Sequence, residues 1–236
     1  MVAKSGSGIT QAGQLIALEN VTKTYRLGNS THRVLDNITF KFPQRKSVGV
    51  LGVNGAGKST LIRIIGGADR PDSGKVVRTS RLSWPMGYSG GFQGTLTGRE
   101  NARFVARIYG ASFEEVERKT IEFSELGQYF DRPISSYSAG MRSRFAMSLS
   151  YALDFDYYLV DEALETGDAR LKEKFRQIFK ERRQISSVIL VSHNEQTIRK
   201  NCDVATVLHE GVLHYFDDLD DAFQMYRKIL FKKSAA

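Results

Sequence analysis

The sequence is short of the features that define several protein classes. It has one cysteine, Cys202, in 236 residues, so no disulfide forms within the chain, and no Cys/His group has the spacing of a zinc site. A lone thiol of this kind is expected to be buried filler. Long apolar runs are missing as well. Stretches such as Val48 to Leu51, Tyr157 to Val160 and Val188 to Val191 last only a few residues, against the roughly 20 that a bilayer crossing requires. The chain is therefore not expected to span a membrane by itself. Residues 1–14 (MVAKSGSGITQAGQ) are small and polar, without the apolar segment of a secretory signal, and read as a flexible tail on a cytoplasmic protein. What is present is 41% hydrophobic residues, enough for a real core, and a formal net charge of +8. That charge suits an acidic polymer, a nucleotide or the anionic cytoplasmic face of a membrane, and does not choose among them.

Leu15 to Val21 and Val34 to Phe42 alternate apolar with polar side chains, which predicts half-buried antiparallel strands. Val48 to Leu51 is a continuous apolar run ending in glycine, as a strand buried on both faces would be, and Lys58 to Gly66 then has helical spacing. Ser80 to Asn101 is rich in Gly, Ser and Pro and predicts loop. From Asn101 to Tyr109 the spacing sets Phe104, Val105, Ile108 and Tyr109 on one helical face, and helical patterns continue over Phe113 to Phe130 and Ala139 to Ala152. The strand Tyr157 to Val160 follows, then a charged helix near Ala169 to Gln184, the strand Val188 to Val191, a helix near Glu195 to Lys200, strands around Val204 and Val212, and a closing helix near Ala222 to Phe231. Strands alternating with helices predict an α/β fold with a mostly parallel sheet.

The run Gly52-Val53-Asn54-Gly55-Ala56-Gly57-Lys58-Ser59-Thr60 satisfies G-x-x-x-x-G-K-[ST] between a predicted strand and a predicted helix. Its glycines let backbone N–H groups curl around phosphate oxygens, the helix start adds partial positive charge, Lys58 reaches terminal phosphates and Ser59 is placed to hold Mg²⁺. Tyr157 to Val160 ends in Asp161 and Glu162, which puts two carboxylates at the carboxyl edge of the sheet, where open α/β folds bind ligands. There Asp161 would reach Mg²⁺ through its water shell, and Glu162 would accept a proton from an attacking water. Val188 to Val191 leads to Ser192 and His193, so His193 is expected at the same edge, sensing or positioning the γ-phosphate; His32, His209 and His214 have no such setting.

Tyr137-Ser138-Ala139-Gly140-Met141-Arg142 stands upstream of the carboxylate pair and ahead of an apolar helix. In this order the motifs resemble those of the ABC ATPase family, whose signature is usually Leu-Ser-Gly-Gly-Gln. Ser138 and Gly140 match it; Tyr137, Ala139 and Met141 depart from it. The resemblance implies a P-loop NTPase of the ABC type, with a mostly parallel core sheet, an antiparallel β subdomain and a helical subdomain over about 100–153, in a single domain over 15–236. It implies ATP and Mg²⁺ as ligands, and a homodimer in which Ser138 and Gly140 grip the γ-phosphate bound to the other copy; as an alternative, Ser138 merely caps a helix. It also implies that Tyr25 stacks on adenine, with a core tyrosine as the alternative, that Gln93 touches Mg²⁺ and relays nucleotide state, and that Asp168 communicates across the dimer, or is a solvated turn residue.

Within that family, Ile64-Ile-Gly-Gly67, Arg70-Pro-Asp-Ser-Gly74, Ser83-Trp-Pro85, Gly90-Gly-Phe-Gln-Gly94, Leu96-Thr-Gly-Arg-Glu-Asn101, Tyr137 to Arg144 and Asp156 to Glu162 together resemble the ATP-binding subunits of bacterial capsular polysaccharide exporters; Glu165-Thr166 departs from the small apolar pair expected there. The resemblance implies an integral-membrane permease partner within a polysaccharide export machinery and a peripheral place on the cytoplasmic face of the inner membrane. O-antigen and teichoic acid exporters are the near alternative, and their frequent added carboxyl-terminal domain is not matched. A soluble ABC ATPase acting on nucleic acid is the distant one. Repair and chromosome members place long coiled coils between phosphate loop and signature, which the stretch from Lys58 to Ser138 lacks, so no direct nucleic-acid partner is expected.

Overall fold

The computed structural model describes residues 15–28, 30–85, 91–161, 180 and 185–234. Glu162, Asp168, most of the expected helix at 169–184 and the expected tail at 1–14 lie outside the described residues.

Two strands, β1 (Ile16–Leu27) and β2 (Ser30–Lys41), precede β3 (Val48–Leu51) and helix α1 (Lys58–Ile65); β4 (Ser73–Arg78) follows. Helices α2 (Gly98–Tyr109) and α3 (Phe113–Ser124), two short 3₁₀ turns (Gly127–Asp131 and Ile134–Ser136) and α4 (Ala139–Ala152) come next. The chain then runs through β5 (Tyr157–Val160), β6 (Ser187–Val191), α5 (Glu195–Asn201), β7 (Val204–His209), β8 (Val212–Phe216) and α6 (Leu219–Ser234). β1 pairs antiparallel with β2 and β4 in a three-stranded sheet. The central sheet has the order β5-β6-β3-β7-β8, parallel except for the β7–β8 hairpin.

Alternation along the parallel strands divides the core in two. Val48, Val50, Tyr157, Leu159, Ile189, Val191, Val204 and Leu208 point to one face, where Leu61, Ile62 and Ile65 of α1 and the antiparallel sheet's Ile16, Leu18 and Leu35 cover them. Leu51, Tyr158, Val160, Val188, Leu190, Ala205 and Val207 point to the other, beneath α2, α3 and α4 together with Ile198 of α5 and Phe223 of α6. Covered on both faces, β3, β5 and β6 carry uninterrupted apolar runs. Cys202 packs within the second core as a buried free thiol.

Rings concentrate in that second core. Trp84 lies with its centroid 6.1 Å from Phe92, 6.1 Å from Tyr109 and 5.8 Å from Phe155, and Phe92 lies 5.1 Å from Phe145 of α4.

The structure corrects three expectations. Strand β4 was not expected from the sequence; its Ser73–Arg78 segment is mostly exposed and, among the described residues, pairs only with β1, so its apolar pattern is weak. The helix expected over Phe113 to Phe130 stops at Ser124, where Glu125 (φ 51°) and Gly127 (φ 53°) take left-handed backbone that ends an α-helix. The apolar side chains of α2 divide: Val105 is buried with Ala102 and Ala106, whereas Phe104 and Ile108 are 58% and 61% exposed. One residue step turns a helix by about 100°, so neighbours such as Phe104 and Val105 cannot both face the core squarely.

Candidate nucleotide site

The site begins where β3 ends. Gly55 (φ 84°) and Gly57 (φ 100°) take left-handed backbone, and at Gly57 an added Cβ would also stand 2.9 Å from the Val34 carbonyl oxygen. These two positions set the curl of the loop. Gly57 is the N-cap of α1 and offers no side-chain acceptor to the first turn, so the helix start presents backbone N–H groups and the positive end of its dipole, a ready site for an anion. Lys58 is buried, and its Nζ donates to the Gly52 carbonyl at 2.6 Å and the Val53 carbonyl at 3.2 Å. Its ammonium therefore sits inside the curl. Ser59, the next residue of the same turn, is exposed.

Parallel register brings two more groups to this edge. Val50 pairs with Val191 and Val160 with Leu190, so the next steps set Gly52 level with His193 and Asp161 level with Val191. Neighbouring strands lie about 4.8 Å apart. Asp161 and His193 thus flank the loop two strands and one strand away. Asp161 is half-buried and His193 exposed. The turn after β6 is fixed by Ser192 Oγ, which accepts from Asn194 N at 3.0 Å, by Asn194 capping α5, and by Tyr226, whose hydroxyl donates to the His193 carbonyl at 3.4 Å.

Gln93 is exposed and held by its backbone. Its N–H donates to Asn101 Oδ1 at 2.9 Å, and Asn101 Nδ2 reaches the carbonyls of Gln93 (3.1 Å), Leu96 (3.3 Å) and Thr97 (2.9 Å). Asn101 was read from sequence only as part of a local motif, yet this buried amide anchors the Gln93 segment. A polar residue on the inner face of an amphipathic helix was the signal that marked it. Thr97 and Glu100 form a reciprocal capping box that starts α2 beside it.

Ser138 and Gly140 stand on a separate element, the exposed start of α4. Ser138 does cap that helix, its Oγ accepting from Met141 N at 3.2 Å. A hydroxyl that accepts here retains a proton to donate, so capping and anion contact are compatible. Tyr137 is buried, donates to the Tyr129 carbonyl at 2.8 Å, and has its phenol pushed up to about 12 by desolvation. Tyr25 is half-buried near the end of β1, with its hydroxyl 3.1 Å from Asp69 Oδ2 and 3.4 Å from Thr60 Oγ1. Desolvation would raise the Asp69 carboxyl, but the bonds from Tyr25 and the Arg70 N–H together with the Lys23 charge outweigh it and hold it below its ordinary value.

The sheet edge carries a hydroxyl (Ser59) and a carboxylate (Asp161), and the exposed carboxamide of Gln93 stands on the segment that leads into α2. This all-oxygen set fits Mg²⁺, which takes one or two protein oxygens and completes its shell with water and phosphate.

Comparison with known proteins bears on what such an arrangement does. A sequence model of the ABC transporter family matches residues 35–165. The chain is 50% identical over 222 residues to the polysialic acid transport ATP-binding protein KpsT of Escherichia coli, covering 91% of this chain and 99% of that protein. It is 44% identical to the ATP-binding protein BexA of Haemophilus influenzae (91% and 99% covered) and 44% identical to the capsule polysaccharide export ATP-binding protein CtrD of Neisseria meningitidis serogroup B (91% and 100% covered). Among solved structures, the ATP-binding cassette MJ0796 in a dimeric post-hydrolysis state with ADP and Pi superposes with a TM-score of 0.69 at 22% identity, over 84% of this chain and 96% of that one. The ATP-binding subunit of an ABC transporter superposes with a TM-score of 0.74 at 22% identity, over 94% and 100%.

Proposed function

This chain belongs to the ABC transporter family, and on that premise we propose that it is the ATP-hydrolysing subunit of a transporter exporting capsular polysaccharide across the bacterial inner membrane. The observation that carries the ATPase reading is the meeting at one sheet edge of the Gly52–Thr60 loop, Asp161 and His193. The cargo rests on the likeness to KpsT and CtrD, whose names give polysialic acid and capsule polysaccharide. Residues 15–236 act as one domain with a helical subdomain at about 100–153.

Two copies close head to tail around two ATP molecules. The backbone N–H groups of Gly52 to Thr60 and the Lys58 ammonium bind the phosphates, while Tyr25 stacks on adenine. Ser59, Gln93 and Asp161 would hold Mg²⁺, which would supply positive charge to stabilise the charge developing on the phosphates. The partner's Ser138 and Gly140, at an exposed helix start, complete the γ-phosphate site. Water attacks the γ-phosphorus, the bond to the bridging β-oxygen breaks, and ADP and inorganic phosphate result. Glu162 accepts the water's proton and His193 positions the γ-phosphate. Asp168 carries the nucleotide state across the dimer. ATP favours the closed pair and ADP the open one, so turnover shifts that population, and a coupled integral-membrane permease takes up the motion. The Gly90 to Arg99 region, with the outward Phe104 and Ile108 of α2, is the permease contact. No helix among the described residues is long and apolar enough to cross a membrane, which suits a peripheral subunit held at the cytoplasmic face.

The test compares ATPase activity of the purified chain with Glu162→Gln, and sizes both by gel filtration in ATP and Mg²⁺. The proposal expects turnover by the native chain and an inactive, dimeric variant. A variant that hydrolyses normally and stays monomeric would remove Glu162 as base. In cells, a Lys58→Ala chain should leave capsule polymer inside the cytoplasm; normal surface capsule would refute the assigned cargo.

A further inference from the structure

The stretch Arg70-Pro-Asp-Ser-Gly74, conspicuous in sequence, is wrapped around the part of β1 that carries Tyr25. Asp72 N donates to the Thr22 carbonyl at 2.8 Å, and Asp72 Oδ2 accepts from Thr24 N at 2.6 Å. Lys23 Nζ donates to the Arg70 carbonyl at 2.7 Å and to Asp72 Oδ1 at 3.2 Å, and lies 3.4 Å from Asp69. The pairing of β1 with β2 shifts register on both sides of Lys23, a local irregularity that re-aims side chains. The same ammonium stands 5.6 Å from the Tyr25 ring centroid, and the far end of that ring is bonded to Asp69 and in reach of Thr60.

We propose that Asp69, fixed by Lys23, is a positioning residue for nucleotide recognition, pinning the Tyr25 hydroxyl so that the ring is a preset platform for adenine. This rests on the reading that Tyr25 stacks on the base. A tyrosine ring pivots about two side-chain bonds, and a bond at its para position stops the swing. Its ordering then precedes binding rather than opposing it. Lys23 backs one ring face, so the base takes the other. Thr60 belongs to the first turn of α1, beside the phosphate loop, and its proximity to the same hydroxyl sets the distance between base platform and phosphate site. That distance matters to a nucleotide and not to a bare polyphosphate.

Calorimetric titration with ATP and with inorganic tripolyphosphate, in EDTA to prevent turnover, separates the possibilities. Tyr25→Ala tests the platform itself: it should weaken ATP at least tenfold and leave tripolyphosphate unchanged, and an unchanged ATP affinity would remove both the stacking reading and the tether. Tyr25→Phe keeps the ring and loses the bond, and Asp69→Asn keeps the shape and loses the charge. Each should weaken ATP about three- to tenfold without affecting tripolyphosphate. Because both act on one bond, Tyr25→Phe abolishing it and Asp69→Asn weakening it by loss of the carboxylate charge, the double variant should be no weaker than the worse single one. Native ATP affinity in Tyr25→Phe and Asp69→Asn, with a strong loss in Tyr25→Ala, would overturn the tether and retain the platform. Equal weakening of both ligands, or full additivity in the double variant, would also overturn it.

Discussion

Asn101 offers the sharpest test of how the Gln93 segment is held. Its side chain is 2% exposed. The Leu96 carbonyl has a second donor in Ile134 N, the Thr97 carbonyl in Asn101's own N–H, and the Gln93 carbonyl in Leu96 N at 3.1 Å, so the Gln93 N–H is the group that depends most on the amide. An orphaned buried group costs about 1–3 kcal/mol, and because Gln93 is exposed water recovers part of that. Asn101→Ala should therefore lose about 1–2 kcal/mol in urea unfolding. Asn101→Asp keeps an acceptor for the Gln93 N–H but turns a carboxylate toward the three carbonyls that the amide now serves, so at pH 8 it should be less stable than the alanine variant. Protonation restores a donor. The native pKa of that new acid is raised above its unfolded value of about 3.9, so the penalty is absent below that value, grows as pH rises through the native pKa, and is constant above it. The aspartate variant should accordingly recover relative to alanine between pH 8 and pH 5. Native stability of Asn101→Asp at pH 8 would refute the hydrogen-bond reasoning. Reduced stability with native ATP turnover would keep the anchor and take Gln93 out of the catalytic proposal.

At the start of α4, Ser138→Ala should cost about 1 kcal/mol through loss of the cap and Ser138→Gly only a few tenths. Both remove the hydroxyl, so both should impair ATP-driven dimerisation of the Glu162→Gln chain equally in gel filtration; if impairment follows stability instead, Ser138 is a cap alone. Gly98→Ala would set a Cβ 2.5 Å from Tyr137 Oη and 2.9 Å from the Phe130 carbonyl, lowering stability by about 1–3 kcal/mol. Adding Tyr137→Phe should restore part of it in thermal melts. The Tyr137 phenol is pushed up to about 12, so its contribution is complete below about pH 10, the unfolded value, and is lost as pH rises through the folded value. Alkaline melts of Tyr137→Phe should fall less steeply over that window than those of the native chain.

The phosphate loop, β3, β5 and β6 were legible because their information is local. A fully covered parallel strand is apolar without interruption, and the motif glycines lie next to it. The register between β3, β5 and β6 then follows, bringing Asp161 and His193 to the loop. Strand β4 was not legible, since a short exposed edge carries little apolar alternation. Asn101 and Asp69 were hidden for another reason: Asp69 acts on Tyr25, 44 residues away along the chain, and Asn101, although its partners are near in sequence, takes its role only once the Gln93 segment turns back onto α2. Ser138 was legible both ways, because one hydroxyl at a helix start caps the helix and faces solvent.

The ring cluster around Trp84 gives the molecule a built-in optical gauge. This is the chain's single tryptophan, so red-edge excitation isolates one indole. Its Nε1 is buried without a hydrogen-bond partner among the described residues, and such a shielded indole emits at short wavelength. One neighbour, Phe92, adjoins Gln93, and Phe92 in turn touches Phe145 of α4. A displacement of the Gln93 segment that drew Phe92 off the indole would expose it to water, shifting its colour and yield without a dye or a second mutation.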